Sequence, residues 1–282
     1  MSQHFKKIIV ILGQTATGKS DLAVKIARKI GGEIISADSR QIYKNLDIGT
    51  GKITEKEMRN VPHHLLDVVK PKNRFTVAEY KKLAEEKIKE IIAKGKIPIM
   101  CGGTGFYIDA VTKGVILPQV PPNVKLRKSL QKKDSGQLFK ILKKFDGRRA
   151  KNIDKKNKVR LIRAIEIAKT LGKVPKITEV KPMYKFIKIG LYLPPDKLRK
   201  KVEKRVKGMF KNGLLKEIEK LKNSGISAKR LKELGFEYDN PNYEKVVKQT
   251  LKYAKRQMTW FKRDKEIKWL NASKKINIKK LF

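Results

Sequence analysis

Blocks of hydrophobic residues, separated by polar turns, run through the N-terminal part of the chain at spacings typical of alternating strands and helices. Residues 6–12 contain a continuous apolar run, as expected for a strand that is buried on both faces. Residues 19–30 place apolar side chains at helical spacing, and Gly31 and Gly32 follow as a stop signal. Residues 33–37 predict a second short strand. This order predicts the opening unit of a parallel α/β sheet.

The same alternation returns further along the chain. Thr76 followed by Glu79 is a capping-box signature, and it predicts a helix that runs to about Lys94 and ends at Gly95. Residues 97–101 predict a third strand. Later segments predict a strand at 184–193, a helix introduced by Pro194 and Pro195, and helices at 214–222 and 243–263.

The middle of the chain differs from the rest in amino-acid composition. Pro118, Pro121 and Pro122 mark a linker, and residues 123–170 then hold 17 Lys and Arg against 4 Asp and Glu in helix-like segments. We interpret this as an inserted helical lobe with a basic face. The predicted domains are therefore an α/β core with C-terminal helices, formed by residues 1–120 and 180–282, and a basic lobe formed by residues 121–179.

Composition narrows the class of protein. The formal net charge of +43 and the pI near 10.2 indicate a polyanionic partner. Enrichment in lysine at positions that touch nothing is the alternative, and only the distribution of the charge separates the two. Cys101 is the single cysteine, which excludes an internal disulfide and fits a reducing cytoplasm. The apolar run from Ile8 to Leu12 is too short to span a membrane.

The strongest motif lies between the first predicted strand and helix and matches G-x-x-x-x-G-K-[ST] in full. In such loops, backbone N–H groups, the lysine and the positive end of the helix surround phosphate oxygens, and the final hydroxyl can bind Mg²⁺. Its residues are Gly13, Gln14, Thr15, Ala16, Thr17, Gly18, Lys19 and Ser20. The predicted fold is therefore a P-loop NTPase-like parallel sheet flanked by helices, with an inserted helical lobe and a helical C-terminal region.

The end of the third predicted strand argues against nucleotide hydrolysis. NTPases usually place an acidic residue there to position metal and water, whereas this strand runs into Cys101, Gly102, Gly103 and Thr104. We interpret the loop as a site for a diphosphate leaving group. Asp38, at the end of the second strand, is then free to act as a general base, although an aspartate that only caps a turn is the alternative.

Several long segments resemble the bacterial tRNA dimethylallyltransferases, also called tRNA isopentenyltransferases. The resemblance implies transfer of a dimethylallyl group from dimethylallyl diphosphate to N6 of the adenosine 3′ of the anticodon, on a P-loop core with a helical insertion that grips the anticodon stem-loop. The target base must leave its stack to react. The matching segments are GQTATGKS (13–20), SADSRQIYKNLDIGTGK (36–52), PHHLLD (62–67), CGGTGFY (101–107), VRLIRAIEI (159–167), KRVKGMFKNG (204–213) and YAKRQMTWFKRD (253–264).

The resemblance also implies roles for single residues. Asp38 removes the proton of the adenine amine, Arg205 stabilises the departing diphosphate, and Thr104 hydrogen-bonds substrate beside the transferred group. Mg²⁺ is the expected cofactor, with Ser20 as its ligand. Lys125 stands where relatives tend to carry arginine, so the charge is kept and the bidentate fork is lost. The implied tRNA contacts are Asp38, Ser39, Arg40, Gln41, Thr104, Lys125, Val159, Arg160, Leu161, Ile162 and Arg163.

Other classes of function remain open at this point. A small-molecule or nucleoside kinase explains the phosphate loop and Asp38, but it does not explain the basic insertion. An ATP-gated RNA-binding protein without activity explains the charge and leaves Asp38 and Thr104 without a role. A prenyltransferase acting on free AMP is a further alternative. We expect a monomer, because no apolar seam is left over.

Overall fold

The computed structural model describes residues 7–176, 178–180, 182–278 and 281. Lys6, which the sequence places in the first strand, lies outside the described residues. Within the described part, the chain divides into two compact units, one within Met1–Gly114 and Lys181–Phe282 and the other within Val115–Val180. The second unit begins at Val115, ahead of the proline linker, because a short strand there pairs with another at the end of the same unit.

The described residues contain eight strands, six of them in the first unit. In chain order they are β1 (Lys7–Gly13), β2 (Gly32–Ala37), β3 (His63–His64), β4 (Ile97–Gly102), β5 (Val115–Ile116), β6 (Thr178–Glu179), β7 (Lys185–Tyr192) and β8 (Lys268–Asn271). The first unit forms one sheet in the order β3-β2-β4-β1-β7-β8, and every pairing in it is parallel. The predicted α/β class is confirmed.

Helices connect these strands. They are α1 (Lys19–Ile30), α2 (Glu55–Met58), α3 (Val77–Ala93), α4 (Gly105–Thr112), α5 (Val124–Gln131), α6 (Ser135–Phe145), α7 (Gly147–Lys151), α8 (Lys158–Leu171), α9 (Pro195–Lys211), α10 (Leu214–Asn223), α11 (Ala228–Leu234) and α12 (Tyr243–Phe261). A 3₁₀ turn spans Phe236–Tyr238. No helix within the described ranges is long and apolar enough to cross a membrane.

The continuous apolar run of β1 is explained by packing on both faces of the sheet. Ile8, Val10 and Leu12 pack into one core cluster, and Ile9 and Ile11 pack into another on the opposite face. Side chains of successive strand residues point to opposite faces, so both sets must be apolar. After Lys7, polar residues return only beyond the carboxyl end of the strand, and this places the chemistry of the first unit at the carboxyl edge of the sheet.

The second unit has its own core and an antiparallel pair of strands, β5 and β6. Glu166 is buried in this core and accepts hydrogen bonds from Arg127 and from Arg163. The other three acidic residues of the segment 123–170 bind backbone groups: Asp134 and Asp146 cap helices, and Asp154 accepts from the N–H of Lys156. All four acids therefore serve internal structure.

Candidate active site

A cavity of about 430 Å³ opens in the first unit, where the ends of β1, β2 and β4 meet. Its wall also receives side chains from α9, the 3₁₀ turn and α12, which are distant in sequence. Predicted site residues on this wall are Thr15, Ala16, Thr17, Gly18, Lys19, Ser20, Asp38, Ser39, Arg40, Gln41 and Arg205. The chain therefore brings most of the predicted diphosphate and base residues of the first unit together.

The phosphate loop connects β1 to α1. Ala16 adopts a left-handed backbone with φ of 63°, a conformation that turns successive N–H groups to one side and suits an anion. Nζ of Lys19 and Oγ1 of Thr17 both donate to the carbonyl of Gln14, at 2.6 and 2.8 Å. Burial lowers the pKa of Lys19 to about 8, against the opposing effect of Asp38. The lysine is thus held beside the cavity with a charge that an incoming phosphate stabilises.

Asp38 follows β2 directly. Its Oδ1 accepts from the N–H of Arg40 at 2.8 Å and of Gln41 at 3.4 Å, which closes a tight turn. One carboxylate oxygen of Asp38 therefore does have the turn-forming role that the sequence analysis left open. Within the part of the chain that the structure describes, Oδ2 accepts no hydrogen bond. Asp38 lines the cavity, so this oxygen is available to a proton donor there.

Thr104 follows β4 and contacts Ser39 through its side chain. Its Oγ1 accepts from the N–H of Ser39 at 2.9 Å and donates to Oγ of Ser39 at 3.2 Å. The hydroxyl therefore connects the loop after β4 to the loop that carries Asp38. The direct substrate contact that the sequence analysis expects for Thr104 stays a prediction, and in the structure its hydroxyl bonds Ser39.

Arg205 reaches the cavity from α9 and is partly buried. Nη2 donates to the carbonyl of Thr50 at 2.7 Å. Gly51 has φ of 57°, and a Cβ at this position would lie 2.1 Å from Nη2, so a larger residue would strain the loop and displace the guanidinium. Burial lowers the pKa of Arg205, and Asp38 and Glu237 act in the opposite direction.

The sequence did not point to Glu217, which holds the loop in front of Arg205. This carboxylate accepts from the backbone N–H groups of Asp47, Ile48 and Gly49, at 2.9, 2.8 and 3.0 Å. The hydroxyl of Tyr238 donates to it as well, at 2.9 Å. Glu217 comes from α10, far along the chain, and nothing in the local pattern links it to this loop.

Other wall residues were also missed by sequence reasoning. Glu237 lines the cavity, and burial raises its pKa to about 7, against the effect of Arg40 and Arg205. Tyr253 and Arg256 enter from α12, within a segment that carries the family resemblance. Cys101 is buried, and its pKa is raised to about 12, so it remains a thiol and is no nucleophile.

Ser20 is the residue that fits Mg²⁺. It is exposed to the cavity at the start of α1, with Asp21 beside it. Among the described residues, no group of three or more His, Cys, Asp or Glu side chains could hold a metal. Mg²⁺ usually binds through waters, substrate phosphates and one or two protein oxygens, so a hydroxyl beside a phosphate loop is a suitable partner.

The predicted tRNA contacts in the second unit differ in how exposed they are. Lys125, Val159 and Arg160 are exposed. Leu161 and Ile162 are buried in the core of the unit. Arg163 is half-buried and donates to Glu166, so it also stabilises the unit from within.

The parallel sheet, with a phosphate loop at its carboxyl edge, defines a P-loop α/β protein. The model of the family described as IPP transferase matches residues 41–264. The chain belongs to this family. It is 40% identical to a tRNA dimethylallyltransferase of Halothermothrix orenii, over 94% of this chain and 88% of that protein. A tRNA dimethylallyltransferase of Pelotomaculum thermopropionicum is 38% identical, over 96% and 93%.

Solved structures agree with this assignment. A tRNA delta(2)-isopentenylpyrophosphate transferase of Staphylococcus epidermidis superposes with a TM-score of 0.69 at 32% identity, covering 97% of this chain and 95% of that one. A eukaryotic dimethylallyltransferase acting on tRNA gives a TM-score of 0.77 at 26% identity, over 95% and 74%. The resemblance seen in the sequence is confirmed, and the kinase and non-catalytic alternatives are disfavoured.

Proposed function

We propose that this chain transfers a dimethylallyl group from dimethylallyl diphosphate to N6 of the adenosine 3′ of the anticodon in tRNA. Family membership supports the reaction class, and one observation supports the mechanism: Lys19, Arg205 and Asp38 line the same cavity. In the proposed displacement reaction, the phosphate loop binds the leaving diphosphate and Asp38 acts on the attacking adenine amine. N6-isopentenyladenosine and diphosphate are the products.

The proposed step is a displacement at C1 of the dimethylallyl group. The bond between C1 of the dimethylallyl group and the bridging oxygen breaks, and its electron pair leaves with the diphosphate. A bond forms between C1 and N6, and Asp38 accepts the N6 proton. An exocyclic adenine amine is a weak nucleophile because its lone pair is delocalised, so removal of this proton by a carboxylate lowers the barrier.

The leaving group gains charge as the bond breaks. Lys19, Arg205 and the phosphate loop line the cavity proposed to hold it, and preorganised donors of this kind stabilise a transition state strongly. Mg²⁺ bound at Ser20 would neutralise part of the diphosphate charge. Lys19 and Arg205 are both half-buried, so water screens these interactions less than it would on the open surface.

On the acceptor side, we assign Ser39, Arg40 and Gln41 to the flipped adenosine and its neighbours, because they line the cavity beside Asp38. Thr104 supports this loop through Ser39. In the second unit, Lys125 and Arg160 are exposed cations suited to phosphates of the anticodon stem-loop. We propose that the protein acts as a monomer.

Incubation with dimethylallyl diphosphate, Mg²⁺ and either unmodified tRNA or free AMP tests the proposal. Mass analysis of nucleosides should detect isopentenyladenosine from tRNA and none from AMP, and omission of Mg²⁺ should slow the reaction. Product on AMP alone would instead identify an adenylate prenyltransferase. Transfer of phosphate from ATP to a small acceptor, with no prenyl transfer, would identify a kinase.

A further inference from the structure

The side chain of Gln257 connects two loops of the active site and has no role in the chemistry described above. It lies on α12 and is 5% exposed. Its Oε1 accepts from the N–H of Thr15 at 2.8 Å, and its Nε2 donates to the carbonyl of Gly103 at 2.9 Å. One amide therefore uses its acceptor on the phosphate loop and its donor on the loop after β4.

The backbone is shaped to admit this bridge. A Cβ at Gly103 would lie 2.2 Å from Nε2, so any larger residue there would displace the amide. β1 and β4 are neighbours in the sheet, and their loops leave it side by side. No backbone hydrogen bond between Thr15 and Gly103 is present among the described residues, and Gln257 supplies the connection instead.

Each loop leads to a different half of the proposed reaction. Thr15 belongs to the phosphate loop. Gly103 precedes Thr104, whose Oγ1 accepts from the N–H of Ser39, next to Asp38. We propose that Gln257 is a positioning residue that fixes the diphosphate donor relative to the base, for the transferase reaction proposed above.

The expected effect follows from the geometry of displacement. The C1–O bond breaks as the N6–C1 bond forms, so both reactants must be held at van der Waals distance before the step. A displacement of about 1 Å can cost about 100-fold in rate, even when each reactant still binds. Removal of the bridge should therefore lower kcat and leave the affinity for either substrate nearly unchanged.

A structural role alone predicts a different pattern. A buried amide needs hydrogen-bond partners, and any substitution that leaves Thr15 or Gly103 unpaired lowers stability. In that case thermal stability and both affinities would fall together with kcat. The two explanations separate when kcat, the two dissociation constants and the melting temperature are measured on the same variants.

Two substitutions of similar volume test the bridge. Gln257→Met removes both hydrogen bonds. Gln257→Glu keeps the acceptor for Thr15, and it regains a donor to Gly103 only when the carboxyl group is protonated, a form that burial favours. Gln249→Glu, on the same helix but away from both loops, is the matched control for the added charge.

We expect kcat of Gln257→Met to fall by about 10- to 100-fold at every pH, with dissociation constants for dimethylallyl diphosphate and tRNA within about threefold of wild type. Gln257→Glu should approach wild-type kcat at about pH 6 and lose it as pH rises. The ionisable groups Lys19, Asp38, Glu237 and Tyr253 line the same wall. Dividing each kcat by the wild-type value at the same pH removes the pH effects that both proteins share. Gln249→Glu should give a flat ratio.

Other results would overturn the positioning role. Gln257→Met with kcat within about twofold of wild type would do so, as would a pH-independent ratio for Gln257→Glu. If Gln257→Met does not fold, the ratio for Gln257→Glu decides alone. A wild-type chain that forms no isopentenyladenosine would instead overturn the proposed function, so the two failures are distinguishable.

Discussion

At the scale of single residues, Asp38 has two tasks that one side chain can divide between its oxygens. Oδ1 closes the turn with the N–H groups of Arg40 and Gln41, and Oδ2 remains for the substrate amine. A substitution that keeps the turn and removes the base therefore separates structure from chemistry.

We predict that Asp38→Asn and Asp38→Ala both lower kcat by about 100- to 10,000-fold, because neither can accept the N6 proton. Asparagine keeps an oxygen for the turn, so Asp38→Asn should retain wild-type thermal stability and nearly unchanged tRNA affinity. Single-turnover prenylation and a binding titration measure these quantities. Near-normal turnover by Asp38→Asn would leave Asp38 as a turn residue only.

Lys19 makes diphosphate binding depend on pH. Its pKa is lowered to about 8 in the free protein, mainly by burial, and a bound diphosphate would raise it. Binding therefore takes up a proton above about pH 8. Affinity for a non-reacting thiolo analogue of the donor should be constant below about pH 8 and fall above it by up to about tenfold per pH unit.

The matched variant for this prediction is Lys19→Arg, whose guanidinium stays charged over the whole range. Its affinity should show no step near pH 8, whatever its absolute value. Calorimetric titrations at several pH values measure both proteins. A wild-type profile as flat as that of Lys19→Arg would contradict the prediction.

Which residues could be predicted from the sequence depends on how they reach the cavity. Thr15–Ser20 and Asp38 follow strands closely, so motif and strand position were enough to place them at the carboxyl edge. Glu217 and Gln257 act through contacts with loops more than 150 residues away in the chain. No local spacing encodes such a pair, and only the folded packing reveals it.

At the scale of elements, the opposite end of the sheet holds a cluster of charges. Glu33 of β2 is buried, and its carboxylate accepts from Nζ of Lys96 at 2.7 Å and contacts Nε2 of His64 at 2.6 Å. Burial opposes the charge, but these hydrogen bonds outweigh it and lower the pKa of Glu33 to about 2. The cluster connects β2 to β3 and to the start of β4.

This cluster predicts reduced stability in acid. A carboxyl whose folded pKa lies below the unfolded value stabilises the protein above about pH 4.5 and loses that contribution as pH falls toward 2. We expect on the order of 2 kcal/mol from this source. Denaturant unfolding at several acidic pH values should show a weaker pH dependence for Glu33→Gln. Glu86→Gln, an exposed change on α3, should behave as wild type.

Some helices and strands could be predicted from the sequence much more accurately than others. α1 and α3 were predicted nearly to the residue, and so was the start of α9, because an apolar face, caps and proline mark them. β3 and β8 were not predicted. They are short edge strands with little apolar alternation, and they exist because a neighbouring strand supplies their hydrogen bonds.

At the scale of the whole molecule, the distribution of charge in the second unit bears on the partner. Its four acidic residues in 123–170 are held in caps and in the core, so many surface cations have no carboxylate beside them. If the lysines were enriched without any function, there would be no reason for the acidic residues to lie in caps and in the core while the cations lie on the surface.

We predict that Lys125→Ala with Arg160→Ala weakens tRNA binding and reduces the slope of log affinity against log salt by about 1 for each phosphate that is no longer neutralised. The diphosphate affinity should not change. Lys82→Ala with Lys89→Ala, on α3, removes the same charge from another surface and is the control. Equal salt slopes for both double variants would favour general lysine enrichment.

The order of the sheet also has a consequence for synthesis on the ribosome. β1 lies between β4 and β7, and its register with β7 pairs Lys7 with Lys185. One side of the most apolar strand therefore has no native neighbour until the insertion and β7 have been translated. During that interval the nascent chain carries an open hydrophobic edge, which is the kind of surface that chaperones cover and that aggregates when they do not.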